Sequence, residues 1–460
     1  MLQLACTPSA QLLPAGGSPR LLYLLLEVQG GHGAQTLPAQ LSFVIDVSDS
    51  MRIRLVTQQQ FAELLRSGQA QEVLTDGVPA YQVSAAAAQL LGSLPRRIDY
   101  ARQALEAAVD YLRPQDSFSL VAFAGRAQRM LPATPGGQRR RLLEAALELE
   151  HLQLGDGTQL AQGLSLAGQE LASTPSNGSA GALRRVLLLT DGHTQNVAEC
   201  YAWAQQARRA GVRLTTMGIG SEFNEDLLIP LADQTGGSAY YIETPERIPH
   251  AFREELGSLL GVAYGSLEAK LQLPQGVALR NVYRVEPELG RFDPGPDLGG
   301  SYALLLGDYT PGAPLALLVE LVLPPLQPGA YRLAQALLAW DDPDEPLNRR
   351  NHRQELIVKV VEQPTVPLDE RVMGIVERVG AYKMGTAALE AAHAAGPEQK
   401  EAVTLRLRQA ATRLLDLGQD GLAGGMFQQA DTLEKYGALD PEAEKKLRYQ
   451  TRRLGRAHEE

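Results

Sequence analysis

The sequence predicts a multidomain α/β + β + α chain: a doubly wound α/β unit inserted into an antiparallel β-sandwich, followed by a C-terminal helical bundle. Apolar runs of strand length alternate with helical patterns across residues 38–258. Shorter alternating runs separated by Pro/Gly turns occupy 262–362, and residues 366–460 repeat with helical periodicity. A length of 460 residues suggests about three domains, and a 44% hydrophobic content is enough for separate cores.

Within the central unit, Leu41 to Val47 is a nearly continuous apolar run, as a strand buried on both faces requires. Apolar positions at Ile98, Ala101, Leu105, Ala108, Val109 and Leu112 predict a helix over 98–112. Ser117 to Phe123 reads as the next strand, with 126–131 turning back as an antiparallel edge. Helices are expected at 139–149 and 160–171, then strands at 185–189, 212–218 and 239–242. Helices at 197–210, 224–235 and 245–259 fall between or after these strands.

The flanks read as one domain. Residues 1–37 offer strands at 2–7 and 21–28, too few to close a core alone. Residues 262–362 offer six more, at 267–273, 278–285, 301–306, 316–323, 330–340 and 354–361. Turns at Pro274-Gln275-Gly276, Pro311-Gly312 and Pro328-Gly329 separate several of them. The expectation is a discontinuous β-sandwich of 1–37 plus 262–362, interrupted by the 38–258 unit; such insertions are tolerated where the two junctions lie close together. After a Pro364–Pro367 linker, helical patterns at 368–395, 398–417, 422–436 and 441–455 are punctuated by Gly396-Pro397, Gly418–Gly421 and Gly437–Pro441. Short breaks imply antiparallel neighbours, hence a three- or four-helix bundle.

Three short segments belong together chemically: Asp46-Val47-Ser48-Asp49-Ser50, Gly157-Thr158 and Thr190-Asp191-Gly192. Asp46 and Asp191 each follow an apolar run, so both carboxylates should emerge at the carboxyl edge of a parallel sheet, where open α/β sheets bind ligands. Carboxylates and hydroxyls without Cys or His suit a hard cation such as Mg²⁺. In ordered D-x-S-x-S, distant Thr and distant Asp, the set resembles the metal-ion-dependent adhesion site (MIDAS) of the von Willebrand factor A (VWA) domain, a Rossmann-like fold. The three units together look like a class of bacterial cytosolic VWA proteins.

The resemblance implies a site of Asp46, Ser48, Ser50, Thr158 and Asp191 holding Mg²⁺ (or Mn²⁺). In that family the first Asp acts mainly through water, both Ser coordinate directly, and Thr coordinates when a ligand is present. The second Asp is a direct or water-mediated partner. Neutral hydroxyl ligands leave the cation much of its charge, and an open position can take a carboxylate from a partner protein. The resemblance further implies a non-enzymatic adaptor paired with a MoxR-like AAA+ ATPase in a chaperone or assembly system. The alternative is a hydrolase that uses the cation to activate water.

Two departures from the family pattern stand out. Asp49 occupies the place of a small residue between the serines, its carboxylate either facing solvent or modifying the metal's charge. About forty-five residues, 52–95, also intervene before Arg97-Ile98-Asp99-Tyr100, with helical patterns at 58–65 and 84–91 and a hairpin or loop at 73–81. Leaving the sheet at its ligand edge, this insertion should sit beside the metal, as a neutral surface loop, a lid or a partner platform; Phe61, Leu64, Leu65 and Tyr81 are its apolar positions.

Composition excludes several other classes. A formal charge of −10 with no Lys/Arg run argues against nucleic acid. The early apolar stretch Leu21 to Leu26 is far short of a bilayer span, and Leu4-Ala5-Cys6 lacks the segments of a lipoprotein leader and reads as part of a first strand. Cys6 and Cys200 read as free thiols of a cytoplasmic protein. Gly218-Ile219-Gly220 follows a late strand and lacks the last glycine of a dinucleotide fingerprint. No Walker A, Gly-x-Ser-x-Gly or His-Glu-x-x-His sequence occurs. His193 has no evident nucleophile to serve, so no catalytic residue is expected.

Overall fold

The computed structural model describes residues 2–30, 35–54, 56, 58–75, 78–173, 182–220, 223–295, 298–341, 349–362, 367–394 and 399–455. At the centre lies a six-stranded sheet in the order Ala239–Ile242, Val212–Ile219, Leu183–Thr190, Ala39–Asp46, Ser117–Phe123, Ala127–Pro135. Its first four pairings are parallel and the last is antiparallel. Side-chain alternation along Ala39–Asp46 sends Leu41, Phe43 and Ile45 to one face, against Ile98, Leu105 and Phe252 of two helices. Val44 faces the opposite core with Leu160, Leu164, Leu188 and Cys200. Ser42 shares that second face and is buried; its hydroxyl accepts from Ser119 at 2.8 Å, which satisfies both groups. The expected helix over 98–112 is instead Arg97–Ala108 followed by a 3-10 turn, Val109–Tyr111. Pro114 disfavours helical backbone at the residue before it.

The chain leaves Ala39–Asp46 toward Ser117–Phe123 on one side, then crosses by the helix Leu160–Ser173 to Leu183–Thr190 on the other. The order therefore reverses between the strands that carry Asp46 and Thr190, and such a switch point opens a crevice beyond the strands' carboxyl ends.

Two five-stranded sheets flank this unit. One runs Leu2–Pro8, Arg20–Gly30, Leu315–Leu323, Ala278–Glu286, Gly290–Phe292; the other runs Ser301–Tyr309, Tyr264–Gln272, Gly329–Asp341, Arg349–Val361, Leu12–Pro14. Leu4, Leu24, Leu317 and Leu321 of the first share one buried cluster with Leu271, Leu338, Trp340 and Val358 of the second. The expectation of purely antiparallel sheets is corrected at one edge, where Leu12–Pro14 pairs in parallel with Arg349–Val361. Leu12–Pro14 and Gly290–Phe292, three residues each, are too short to show a period of two.

Asp308 ties the second sheet to the central unit, with Arg185 Nη2 at 2.5 Å and Arg213 Nη2 at 3.1 Å. Gly307, at φ +95°, lies against that pair, and a Cβ there would fall 1.7 Å from Arg213 Nη2.

The C-terminal helices are Glu370–Ala394, Lys400–Asp416, Asp420–Tyr436 and Pro441–Arg452. Most of the Pro364–Pro367 linker, and Gly396-Pro397, lie outside the described residues. Val372, Leu407, Leu414 and Met426 pack against Leu25, Leu318 and Val285 on the outer face of the first sheet. The last helix also grips the central unit. Arg452 donates twice to Asp233, at 2.6 and 2.8 Å, Lys445 donates to the Phe223 carbonyl at 2.6 Å, and Tyr449 packs edge-on to Phe223. Because the Arg452 guanidinium is almost wholly buried, Arg452→Ala should lower unfolding stability by about 2–3 kcal/mol, since Asp233 loses two charge-assisted hydrogen bonds and keeps Arg284 at 3.6 Å; chemical denaturation measures this. No helix among the described residues is long and apolar enough to cross a membrane. Cys6 and Cys200 are unpaired, and burial pushes both thiols up to about 12, so neither is an activated thiolate.

Candidate metal centre at the sheet switch point

Asp46 is the last residue of its strand and is wholly buried. Its Oδ1 accepts the Ser48 backbone N–H at 2.9 Å, and its Oδ2 accepts the Thr190 hydroxyl at 2.6 Å. Burial, reinforced by the nearby charge of Asp191, raises its carboxyl to about 6. After Asp46 the chain turns at once into the four-residue helix Asp49–Arg52, for which Ser48 is the N-cap residue. Met51, fully buried, pins that turn, and the Val47 N–H donates to the Phe123 carbonyl at 2.9 Å. The two serine hydroxyls thereby face each other at 3.1 Å.

Asp191 follows Thr190 and is likewise wholly buried. Its Oδ1 accepts the Ser50 hydroxyl at 2.7 Å, and its Oδ2 accepts Nη1 of Arg97 at 2.5 Å. Thr158 arrives from a tight loop: Gly157 adopts φ +95°, and a Cβ on Gly125 would meet the Asp156 carbonyl at 2.3 Å, so that approach requires glycine. The Thr158 carbonyl accepts the Thr194 hydroxyl at 2.8 Å. Its own hydroxyl lies 3.7 Å from where a Cβ on Gly192 would sit, beside Asp191.

Asp46, Ser48, Ser50 and Asp191 thus form one connected hydrogen-bonded cluster with Thr158 at its rim. Two carboxylates and three hydroxyls, all oxygen, fit a hard cation, and two buried acids converging against a single guanidinium leave a charge that a cation would offset. No group of three or more His, Cys, Asp or Glu suited to a metal occurs among the described residues, so this centre depends on hydroxyls. Asp49 is exposed, and His193 beside the site is also exposed.

Two residues outside the predicted set act here. Thr190 fixes Asp46; it stood in the Thr-Asp-Gly segment, but nothing in the sequence aimed its hydroxyl across to the next strand. Arg97 was visible only as the residue between the insertion and the expected 98–112 helix.

The insertion is a small folded unit: helix Gln58–Arg66, hairpin Ala70–Thr75 with Val78–Val83, and helix Ala85–Gly92. Leu64, Ala70 and Ala87 form its own core with Val83 and Leu91 against them. Leu64 is therefore spent internally; Leu65 is exposed, Phe61 half-buried, and the Tyr81 side chain lies outside the described residues. At the base, Arg54 and Arg96 form an isolated β-bridge and Arg54 donates to the Leu94 carbonyl at 2.6 Å. Ile53, Val56, Leu65 and Leu90 are exposed.

Comparison with known proteins agrees with this architecture. Residues 92–254 match the von Willebrand factor type A domain model, and residues 370–457 match the Sll0103-like C-terminal alpha-helical domain. The VWA match takes in Thr158 and Asp191 and begins at residue 92, in the last residues of the 52–95 insertion that separates them from Asp46, Ser48 and Ser50. The uncharacterized protein sll0103 of Synechocystis sp. is 27% identical over 349 residues, 74% of this chain and 71% of that protein. YfbK of Escherichia coli, also uncharacterized, is 26% identical over 181 residues, 38% of this chain and 30% of that protein. Among solved structures, a von Willebrand factor type A protein from Catenulispora acidiphila superposes with a TM-score of 0.74 at 18% identity, covering 99% of this chain and 97% of that one. The ArnB paralog VWA2 from Sulfolobus acidocaldarius gives 0.54 at 14%, covering 99% and 98%. At these identities the two structures speak to fold alone. The central unit is a VWA domain, and the chain ends in an α-helical domain.

Proposed function

We propose that this VWA protein is a metal-dependent protein–protein interaction adaptor. Asp46, Ser48, Ser50, Thr158 and Asp191 would hold Mg²⁺ or Mn²⁺ as a MIDAS, and the bound cation would supply the positive charge that captures an acidic side chain of a partner. The observation that carries this is the connected cluster of Asp46, Ser48, Ser50 and Asp191 at the switch point. A MoxR-like AAA+ ATPase is the partner class we favour, with the cytoplasm as the compartment; unpaired cysteines support the latter. Hydrolysis is the weaker reading, because a water-activating site needs a positioned general base and the histidine beside the cluster is exposed. Affinity capture from the native host should retain an ATPase with Mg²⁺ and lose it with EDTA. Retention unaffected by EDTA, or turnover of a substrate that depends on Asp46, would refute the adaptor reading.

We assign partner selection to the 52–95 insertion. One carboxylate on a metal is nearly generic, so discrimination has to come from the surrounding surface. The insertion brings exposed Ile53, Val56, Leu65 and Leu90. Replacing 54–94 by a short Gly/Ser linker should leave Mn²⁺ affinity and thermal stability intact while weakening partner capture at least tenfold, about 1.4 kcal/mol. Unchanged partner affinity would make the insertion decoration.

We also read residues 1–37 and 262–362 as one discontinuous β-sandwich holding the 38–258 domain, supported by their shared core. A 38–258 fragment should fold alone, whereas 262–362 without the N-terminal strands should aggregate. A soluble, cooperatively unfolding 262–362 fragment would contradict this.

A further inference from the structure

We propose that Arg97 is a built-in counter-cation of the metal centre: its guanidinium holds Asp191 in the metal-free protein and competes with a divalent cation for that carboxylate. The inference rests on the metal reading above. Arg97 lies ninety-four positions from Asp191 and opens the helix Arg97–Ala108, directly after the insertion. The helix start projects its Nη1 to 2.5 Å from Asp191 Oδ2, and the other Asp191 oxygen is taken by Ser50. No other described ion pair involves Asp191 or Asp46 among those within 4 Å.

Charge and geometry both make Arg97 a competitor. Asp46 and Asp191 carry two formal negative charges in a buried cleft, and one guanidinium offsets half of them. A divalent cation would offset both, and with Arg97 still in place the site would carry surplus positive charge. Mg²⁺ draws carboxylate oxygens to about 2.0–2.1 Å and demands a near-octahedral arrangement. A guanidinium sits at hydrogen-bond distance, about 2.7–2.9 Å, and repels the cation. Arg97 is also incompletely bonded where it lies. Its Nε is buried without a hydrogen-bond partner, so giving up Asp191 costs less than it would for a fully bonded guanidinium. The side chain is 19% exposed and so already borders solvent.

Displacement of Arg97 would be felt at the base of the insertion. Its chain neighbour Arg96 pairs with Asp99 at 2.7 Å and Glu150 at 2.9 Å and bridges to Arg54. Cation entry at Asp191 is thus connected, through two adjacent residues, to the segment we assign to partner selection.

The test is Mn²⁺ titration, followed by calorimetry, of the full chain as wild type, Arg97→Gln and Arg97→Lys. Arg97→Gln removes the charge while keeping much of the side chain's bulk, and should tighten Mn²⁺ binding at least tenfold. Arg97→Lys keeps the charge but not the planar fork and should tighten it by about threefold or less; it also provides a reading if Arg97→Gln does not fold. Without metal, Arg97→Gln should melt below wild type, and saturating Mn²⁺ should raise its melting temperature more than it raises that of wild type. Equal or weaker Mn²⁺ affinity in Arg97→Gln, with wild type binding, overturns the competition and leaves the metal centre standing. Absence of Mn²⁺ binding in both proteins overturns the metal reading, and the competition with it.

Discussion

Asp191→Ala is expected to lower Mn²⁺ affinity by more than about a hundredfold while leaving the far-ultraviolet circular dichroism spectrum unchanged. Changes in the outer shell of a metal site already cost 10–100-fold, and Asp191 is one of only two acids in this cluster. The spectrum should survive because Asp191 lies just past the strand Leu183–Thr190, where it orders a loop cluster and fills no part of either core. Its loss also unpairs Arg97 and leaves Ser50 with its Ser48 contact alone among the described residues, so a modest drop in melting temperature should accompany the lost affinity. Undiminished Mn²⁺ binding in the variant would remove Asp191 from the site and with it the proposed centre.

Asp308→Ala should lower the unfolding free energy by about 3–5 kcal/mol, the scale on which breaking a buried ion pair destabilises a protein. Arg185 and Arg213 both point at this carboxylate and are both largely buried. Removing it strands two guanidinia at the junction between the VWA domain and the β-sheets. Burial alone would raise the Asp308 carboxyl, yet Arg213 and Arg185 hold it below the ordinary value of 3.8. A depressed folded-state value means that this stabilisation is fully present above about pH 4 and is lost as pH falls through the folded-state value. Urea titrations at neutral pH measure the variant's cost, and titrations at falling pH should show wild type and variant converging. A cost below about 1 kcal/mol would mean that Asp308 does not lock the junction.

The alternation of strand and helix across 38–258 was legible because the sheet's strands are buried on both faces, which forces continuous apolar runs such as Leu41 to Val47. The ends of those runs place Asp46 and Asp191 at one sheet edge from sequence alone, since parallel strands share a direction. The four C-terminal helices were legible for a similar reason, their glycine and proline breaks interrupting a clear period. Short strands were not: Leu12–Pro14 pairs in parallel by its backbone alone, and three residues carry no pattern. Whether Leu64 of the insertion packs inward or faces a partner was not legible either, because hydrophobicity does not say which neighbour will cover it.

By itself, the sequence determined the types of element, the edge of the sheet at which chemistry collects, and the oxygen character of the candidate ligands. These follow from local periodicity and residue type, which are properties of short segments. Only the tertiary structure decided that Thr190 holds Asp46 across the switch point, that Ser50 is shared with Asp191, and that Arg97 brings a cation into the cluster. It alone decided that Asp308 binds two arginines from a different sheet. Each of these contacts joins residues about a hundred or more positions apart, or on different strands, and hydrogen bonds and ion pairs act over a few ångströms, so their partners are set by where the chain comes to rest.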